Sequence, residues 1–337
     1  VLRGSRDGFV ETLVSNAALL RRRIRDPRFS MELYGVGRRS RSDVAICYIS
    51  DSVDQSVLNR MRKLIQSIDV DALTMNIESL AECMFTHKWI NPFPKFKYSE
   101  RPDTATAAIL DGNIVIMVDN SPAVMIIPAS IFDIIEEADD FNFSPMIGSY
   151  LRITRFFFSI VTWILTPLWL LFVNNPDWVP EFMKFVLITD DITVPVLLQL
   201  LILELAVDGL KLAAVNTPTM LSTPLSIVAG IVVGEYAVSS GWFNPEALLY
   251  MAVVTVGTYG QTNFEMGYAF KFLRVLTLIL TQIFNLGGFI AGVVISVLMI
   301  AFNRTITGKS YIYPLIPWDG KMLKRKVLRV RLPHSYK

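Results

Sequence analysis

Apolar and polar positions change their rhythm near residue 150 of this chain. Before that point the periods are short and mixed. Phe9, Leu13, Ala17, Leu20 and Ile24 recur at helical spacing until Asp26 and Pro27 stop the pattern, which predicts one amphipathic helix over 9–25. Residues 28–50 read as two strands around Gly35-Val36-Gly37, the second at 44–49. Helices are expected at about 54–67 and 76–84. The β-rich runs 114–118 and 124–127 flank Asp119-Asn120-Ser121-Pro122, a hairpin-turn composition. Residues 1–150 are therefore expected to form a mixed α and β domain.

After Arg152 and Arg155 the pattern becomes almost continuously apolar. The run 156–173 extends with its flanks to about 20 residues, enough to cross a hydrocarbon core of ~30 Å. Further runs cover about 192–206, 220–239, 247–259 and 275–302. The fourth of these is short for a span. Trp163, Trp169, Trp178, Trp242 and Tyr250 fall where amphipathic rings sit at headgroup level. The expected fold class is an α+β cytoplasmic domain followed by an α-helical polytopic membrane domain over 151–303, then a tail over 304–337.

Composition agrees with a membrane chain: 337 residues are 52% hydrophobic and 18% charged, with a mean hydropathy of +0.44. Of the 62 charges, 38 lie in residues 1–152, 14 in 153–303 and 10 in the tail, nine of those ten basic. The positive-inside rule then places both ends in the cytoplasm. Five full crossings would forbid that, so about four spans are expected, with 245–262 as a short re-entrant or interfacial piece. That arrangement leaves Lys271 and Arg274 on the outer side; the alternative, in which 192–211 fails to span, keeps them inside. A net charge of +2 gives no reason to expect nucleic acid as a partner. Cys47 and Cys83 are expected reduced. With neither a Met nor an apolar signal core in the first nine residues, the chain is expected to be the later part of a longer one.

No catalytic constellation is visible, and the chain is expected not to be an enzyme and to need no cofactor. Gly308-Lys309-Ser310 ends like a phosphate loop, but Asn303 stands where that motif needs its first glycine. His87 and His334 lack ligand partners at metal spacing. Arg21, Arg22, Arg23 and Arg25 could meet lipid headgroups or form a solvated helix face at a C-terminus. More informative are polar groups within apolar sequence, because a charge in hydrocarbon is costly and faces protein or water. Glu204, Asp208 and Lys211 share one helical face with Thr193, and Glu235 ends another apolar run. The candidate ion pathway is Glu204, Asp208, Glu235 and Asn285; hydration at segment ends is the alternative. Thr277, Thr281, Asn285, Gly288, Gly292 and Ser296 form a small and polar stripe, as do residues from Ser222 to Gly241. Gly230, Gly234, Gly288 and Gly292 are the candidate helix-packing glycines.

Several runs resemble one known family: Arg3-Gly-Ser-Arg-Asp-Gly-Phe-Val-Glu-Thr12 leading to Asn16 and the run from Leu20 to Pro27; Asp111-Gly-Asn-Ile-Val-Ile-Met-Val-Asp119 with Ser121 and Pro122; Ile227-Val-Ala-Gly-Ile-Val-Val-Gly234; and Tyr311-Ile-Tyr-Pro-Leu-Ile-Pro317. Together they resemble the A-subunit family of GerA-type spore germinant receptors, and the run from Asn91 to Thr106 looks most like a sporulation branch of it. The resemblance implies a multi-pass protein of the endospore inner membrane that acts in germination. It implies a homo-oligomer, a pentamer, forming an ion channel that releases monovalent cations in the lipid bilayer, with a small membrane partner subunit and a role in amplifying ion release. A secondary transporter and a non-conducting membrane scaffold are the alternatives; the transporter would be expected to show internal repeats, which are not apparent.

Overall fold

The structure, a computed structural model, describes residues 5–85, 91–216, 230, 234, 236–308 and 310–330. The chain divides into two units, one built from Val1–Ile153 with Ile300–Lys337 and the other from Thr154–Met299.

The first unit is organised on a five-stranded antiparallel sheet. Its strands are β1 (Phe29–Val36), β2 (Ser42–Ile49), β3 (Lys97–Ser99), β4 (Ile114–Val118) and β5 (Val124–Ile127), in the order β1-β2-β4-β5-β3. Helices cover both faces: α1 (Leu13–Arg23) and α4 (Pro102–Leu110) on one, α2 (Gln55–Gln66) and α3 (Ile77–Met84) on the other. Because successive strand residues point to opposite faces, Val44, Ile46, Tyr48, Ile114, Ile116 and Val118 join Leu58, Met61 and Leu80. Ala45, Cys47, Ile49, Val115 and Met117 join Leu13, Leu20, Ala105 and Ile109. Burial on both faces explains why β4 and β5 read as unbroken apolar runs rather than alternating ones.

The expected strands and helices of this part are present, with α1 starting at Leu13 rather than residue 9. Three elements were not anticipated: β3, α4 and the short α5 (Ile131–Ile135), where Ser130 and Asp133 make a capping box. Nor does the tail stand apart. Ile306 lies in the α2/α3 core, Tyr311 is fully buried, and the Tyr311 carbonyl accepts from Ile131 N–H at 3.0 Å.

The second unit is helical. It contains most of α6 (Pro145–Asn174), then α7 (Val196–Asn216), α8 (Pro245–Tyr259) and α9 (Phe264–Ala301). Among the described residues, α6 and α9 are long and apolar enough to cross a membrane. That is two helices against the expected four. Residues 220–229 of the third expected span lie outside the described residues, α7 carries three charges, and α8, fifteen residues long, reaches only about 22 Å. Nor is the last expected span a single rod over 275–302. Thirty-eight residues of straight helix would measure about 57 Å, nearly twice a hydrocarbon core. The chain instead reverses at Asn285, whose φ of 52° and ψ of −130° break the helix. Arms 264–284 and 286–301 run back along each other: a Cβ on Gly288 would overlap the Leu280 carbonyl, and one on Gly292 would stand 2.9 Å from Thr277 Cα. In the second arm Gly288, Gly292 and Ser296 are the buried positions, every fourth residue.

A charged ladder in the helical unit

Helix α7 presents Glu204, Asp208 and Lys211 at i, i+4 and i+7, and the first arm of α9 presents Tyr268, Lys271 and Arg274 at i, i+3 and i+6. Run antiparallel, these rows match rung for rung. Arg274 Nε donates to Glu204 Oε1 at 2.5 Å, Lys271 Nζ donates to Asp208 Oδ2, and Lys211 Nζ stands 5.4 Å from the Tyr268 ring centroid. Cross-links between the rungs tighten the set. Lys271 Nζ lies 3.7 Å from Glu204 Oε2 and donates to the Glu204 carbonyl at 3.3 Å. Arg274 also donates to the Thr162 carbonyl of α6, so that helix is drawn into the same network.

The Glu204–Arg274 rung sits mid-helix. Glu204 is the ninth residue of α7 and only 4% exposed, and Arg274 is 2% exposed. The reading in which these charges are hydrated at segment ends therefore fails for Glu204. Charges taken so far from water persist only when paired and hydrogen-bonded, which the rungs provide. The ladder borders a cavity of ≈ 80 Å³ whose wall also includes Thr255, Thr258, Gln261 and Asn263. Such a volume holds a few waters. Lys211 completes the wall between the rings of Tyr259 and Tyr268, each 5.4 Å away.

Two further polar joints hold the helices around the ladder. Gln199 Nε2 donates to Asn244 Oδ1 at 2.7 Å while the Asn244 N–H donates to Gln199 Oε1 at 2.8 Å, tying the start of α7 to the start of α8. Ser159 and Gln261 form a similar contact at 3.2 Å between α6 and the loop after α8. Gly257 makes that α6–α8 approach possible, since a Cβ there would meet the Thr162 methyl at 2.6 Å.

The structure thus brings Glu204 and Asp208 together and leaves the other pathway candidates elsewhere. Asn285 is at the hairpin turn, exchanging amide hydrogen bonds of 2.9 and 2.6 Å with Asn175 at the end of α6. Glu235 lies outside the described residues. Gly288 and Gly292 are buried between the two arms of α9, whereas Gly230 and Gly234 are exposed, with no atom among the described residues within 4 Å of where a Cβ would stand. Lys271 and Arg274 were missed as site residues, entering the sequence reading only as awkwardly placed charges. Their spacing, an i, i+3 pair of cations in an apolar helix, matches the i, i+4 pair of acids only once α7 and α9 are set antiparallel.

In the first unit the functional-looking basic run is spent locally. Arg22 and Arg23 reach Asp7 at 2.5 and 3.1 Å, and Arg21 donates to the Asp26 and Phe29 carbonyls. Glu32 is held by Arg62 and by the Tyr48 and Tyr34 hydroxyls, which keeps its carboxyl down at about 2. No group of three or more metal-ligating side chains occurs among the described residues.

Known proteins give this geometry its setting. The family described as Bacillus/Clostridium GerA spore germination protein matches residues 1–337. Stage V sporulation protein AF of Bacillus subtilis (strain 168) is 38% identical over 333 residues, 99% of this chain and 67% of that protein. Spore germination protein XA of Bacillus anthracis is 27% identical over 319 residues, covering 94% and 64%. The crystal structure of the N-terminal domain of the A subunit of the Bacillus megaterium spore germinant receptor GerK3 shares 32% identity, covers 36% of this chain and 94% of its own, and superposes with a TM-score of 0.29. The chain spans about two thirds of the length of the curated relatives it matches. With the family match running from the first residue to the last, the chain belongs to the GerA family of spore germination proteins.

Proposed function

We propose that the chain is a non-enzymatic membrane subunit of an oligomeric assembly, a pentamer with a small membrane partner, that passes monovalent cations during spore germination. The observation that carries this reading is the ladder: five charged side chains around a small cavity, inside helices whose outward residues are large and apolar. Leu205, Leu212, Val256, Phe272 and Ile283 are all more than half exposed, a surface suited to lipid or to other copies of the chain. The grouping of residues 300–337 with 1–153 supports an even number of crossings with both ends on one side.

In the arrangement described, both carboxylates are neutralised by Lys271 and Arg274, so a cation meets no free acid in the cavity. Conduction then requires the rungs to part, which releases Glu204 and Asp208 to an ion and makes this a closed state. The same complete pairing also favours a second reading, a scaffold that never conducts. Reconstitution of the full-length protein with its partner separates them. Vesicles should pass K+ or Na+ down a gradient, and vesicles that stay tight under every germination stimulus tried would sink the channel and leave the scaffold.

A further inference from the structure

The last described helix, α10 (Gly320–Val327), carries Lys321, Lys324, Arg325 and Lys326 within eight residues. Lys326 is turned inward: burial alone would push its ammonium down, but Asp133 and Glu136 overcome that and raise it. Lys321 and Lys324 are exposed and have no carboxylate within ion-pair distance among the described residues. Both ammonium groups are therefore open to an anion outside the protein.

Where α10 ends fixes the place of those two cations. The guanidinium of Arg152, on the third turn of α6 and only 1% exposed, donates to the Arg325 carbonyl at 3.0 Å and the Lys326 carbonyl at 3.2 Å, and to Glu136 Oε1 at 2.8 Å. The Arg329 N–H adds a bond to Ser149 Oγ at 3.0 Å. The C-terminal turn of α10 is therefore fixed to α6 one turn before its apolar run begins at Phe156. The first turns of α6 expose Met146, Ile147, Tyr150 and Ile153, four large apolar side chains in one stripe. Such a stripe with a tyrosine in it marks the depth of the headgroup layer. Helix α10 is about 12 Å long, so its cations lie within roughly one to one and a half Debye lengths of that layer at physiological salt.

We propose that α10 rests Lys321 and Lys324 on anionic phospholipid headgroups of the leaflet that α6 enters. The inference builds on the reading of α6 as a membrane helix. Two exposed lysines at leaflet level attract anionic lipid by about fivefold each, and the Arg152 clamp delivers them there at no further ordering cost.

The test uses the full chain with Trp318→Cys, an exposed site two residues before α10, labelled with an environment-sensitive fluorophore in a Cys83→Ser background; Cys47 is fully buried. The protein is placed in lipid nanodiscs of phosphatidylcholine with increasing phosphatidylglycerol, with a headgroup spin label as quencher. Quenching should rise with phosphatidylglycerol and fall away at 0.5 M NaCl. In Lys321→Gln/Lys324→Gln the phosphatidylglycerol needed for half-maximal quenching should increase at least fivefold, with the thermal midpoint unchanged. Equal quenching in both lipids, or an unaltered double variant, overturns the proposal while the membrane reading stands. Failure of the protein to enter nanodiscs overturns both.

Discussion

Gly292→Leu should force the two arms of α9 apart. A Cβ at this position already stands 2.9 Å from the Thr277 Cα and methyl and 3.0 Å from its Cβ, whereas carbon atoms rest at about 3.5–4.0 Å. Even Gly292→Ala therefore asks the arms to separate by roughly 0.5–1 Å, an overpacking cost of about 1–3 kcal/mol. Leucine adds three more carbons along the same line, where the obstacle is backbone rather than a flexible side-chain tip, so its cost lies at or beyond the top of that range. Leu298→Phe, at a position 45% exposed, should change stability by no more than about 0.5 kcal/mol. Thermal unfolding in detergent, followed by tryptophan fluorescence, should rank the midpoints Leu298→Phe above Gly292→Ala above Gly292→Leu. The last should fall by about 5 °C or more, since 1 kcal/mol corresponds to roughly 2–4 °C for a chain of this order of size. The reverse order would refute the packing. A disulfide checks the hairpin directly: Thr277→Cys with Gly292→Cys should cross-link within one chain, because in an unbroken helix those residues would be about 22 Å apart, far beyond the ~7 Å limit. Absence of that cross-link under oxidising conditions would refute the reversal at Asn285.

Breaking one side of the ladder should be far more damaging than removing both. Arg274→Gln or Glu204→Gln should each cost about 3–5 kcal/mol by leaving the partner charge buried alone, and Glu204→Met/Arg274→Met should recover most of it; thermal midpoints decide, and three similar values would count against the pairing. Glu32 has its carboxyl held at about 2 by Arg62, below its ordinary 4.5, so its contribution to stability is complete above about pH 4.5 and is lost as the pH falls toward 2. Stability measured against pH should show Glu32→Gln weaker than the parent at neutral pH and converging with it across that window; a constant gap would contradict the linkage. Lys326→Met removes the cation shared by Asp133 and Glu136 and should loosen α10, seen as faster tryptic cleavage at Lys321 and Lys324.

What the sequence revealed and what it hid follow the range of the interactions involved. Period and turn chemistry are local, and they located α1, β1, β2, α2, α3 and the β4–β5 hairpin. The three-residue β3 has no period of its own, and α4, whose residues Thr104 to Ala108 carry little contrast between faces, was equally silent. Non-local geometry was the larger omission. Gly288 and Gly292 announced close packing, but their partner proved to be the earlier half of the same apolar run, because a stripe at four-residue spacing looks identical on a straight helix and on two arms folded back at one asparagine. For the site, Glu204 and Asp208 were legible as costly charges in apolar sequence. Their partners were not, since pairing α7 with α9 depends on an antiparallel alignment across more than sixty residues that no local pattern records.

The return of residues 300–330 to the first unit has a temporal side. Ile306 fills the core between the sheet and the α2/α3 face, Tyr311 is fully enclosed, and α10 supplies the carbonyls that seat Arg152. During synthesis these residues leave the ribosome only after every helix of the second unit. The sheet can assemble early, but its seam stays open until the helices between have been made and lodged. Completion of the N-terminal fold is thereby a late event, and a chain that fails to place its helices keeps that seam available to proteases and chaperones, so that folding of one unit reports on the other.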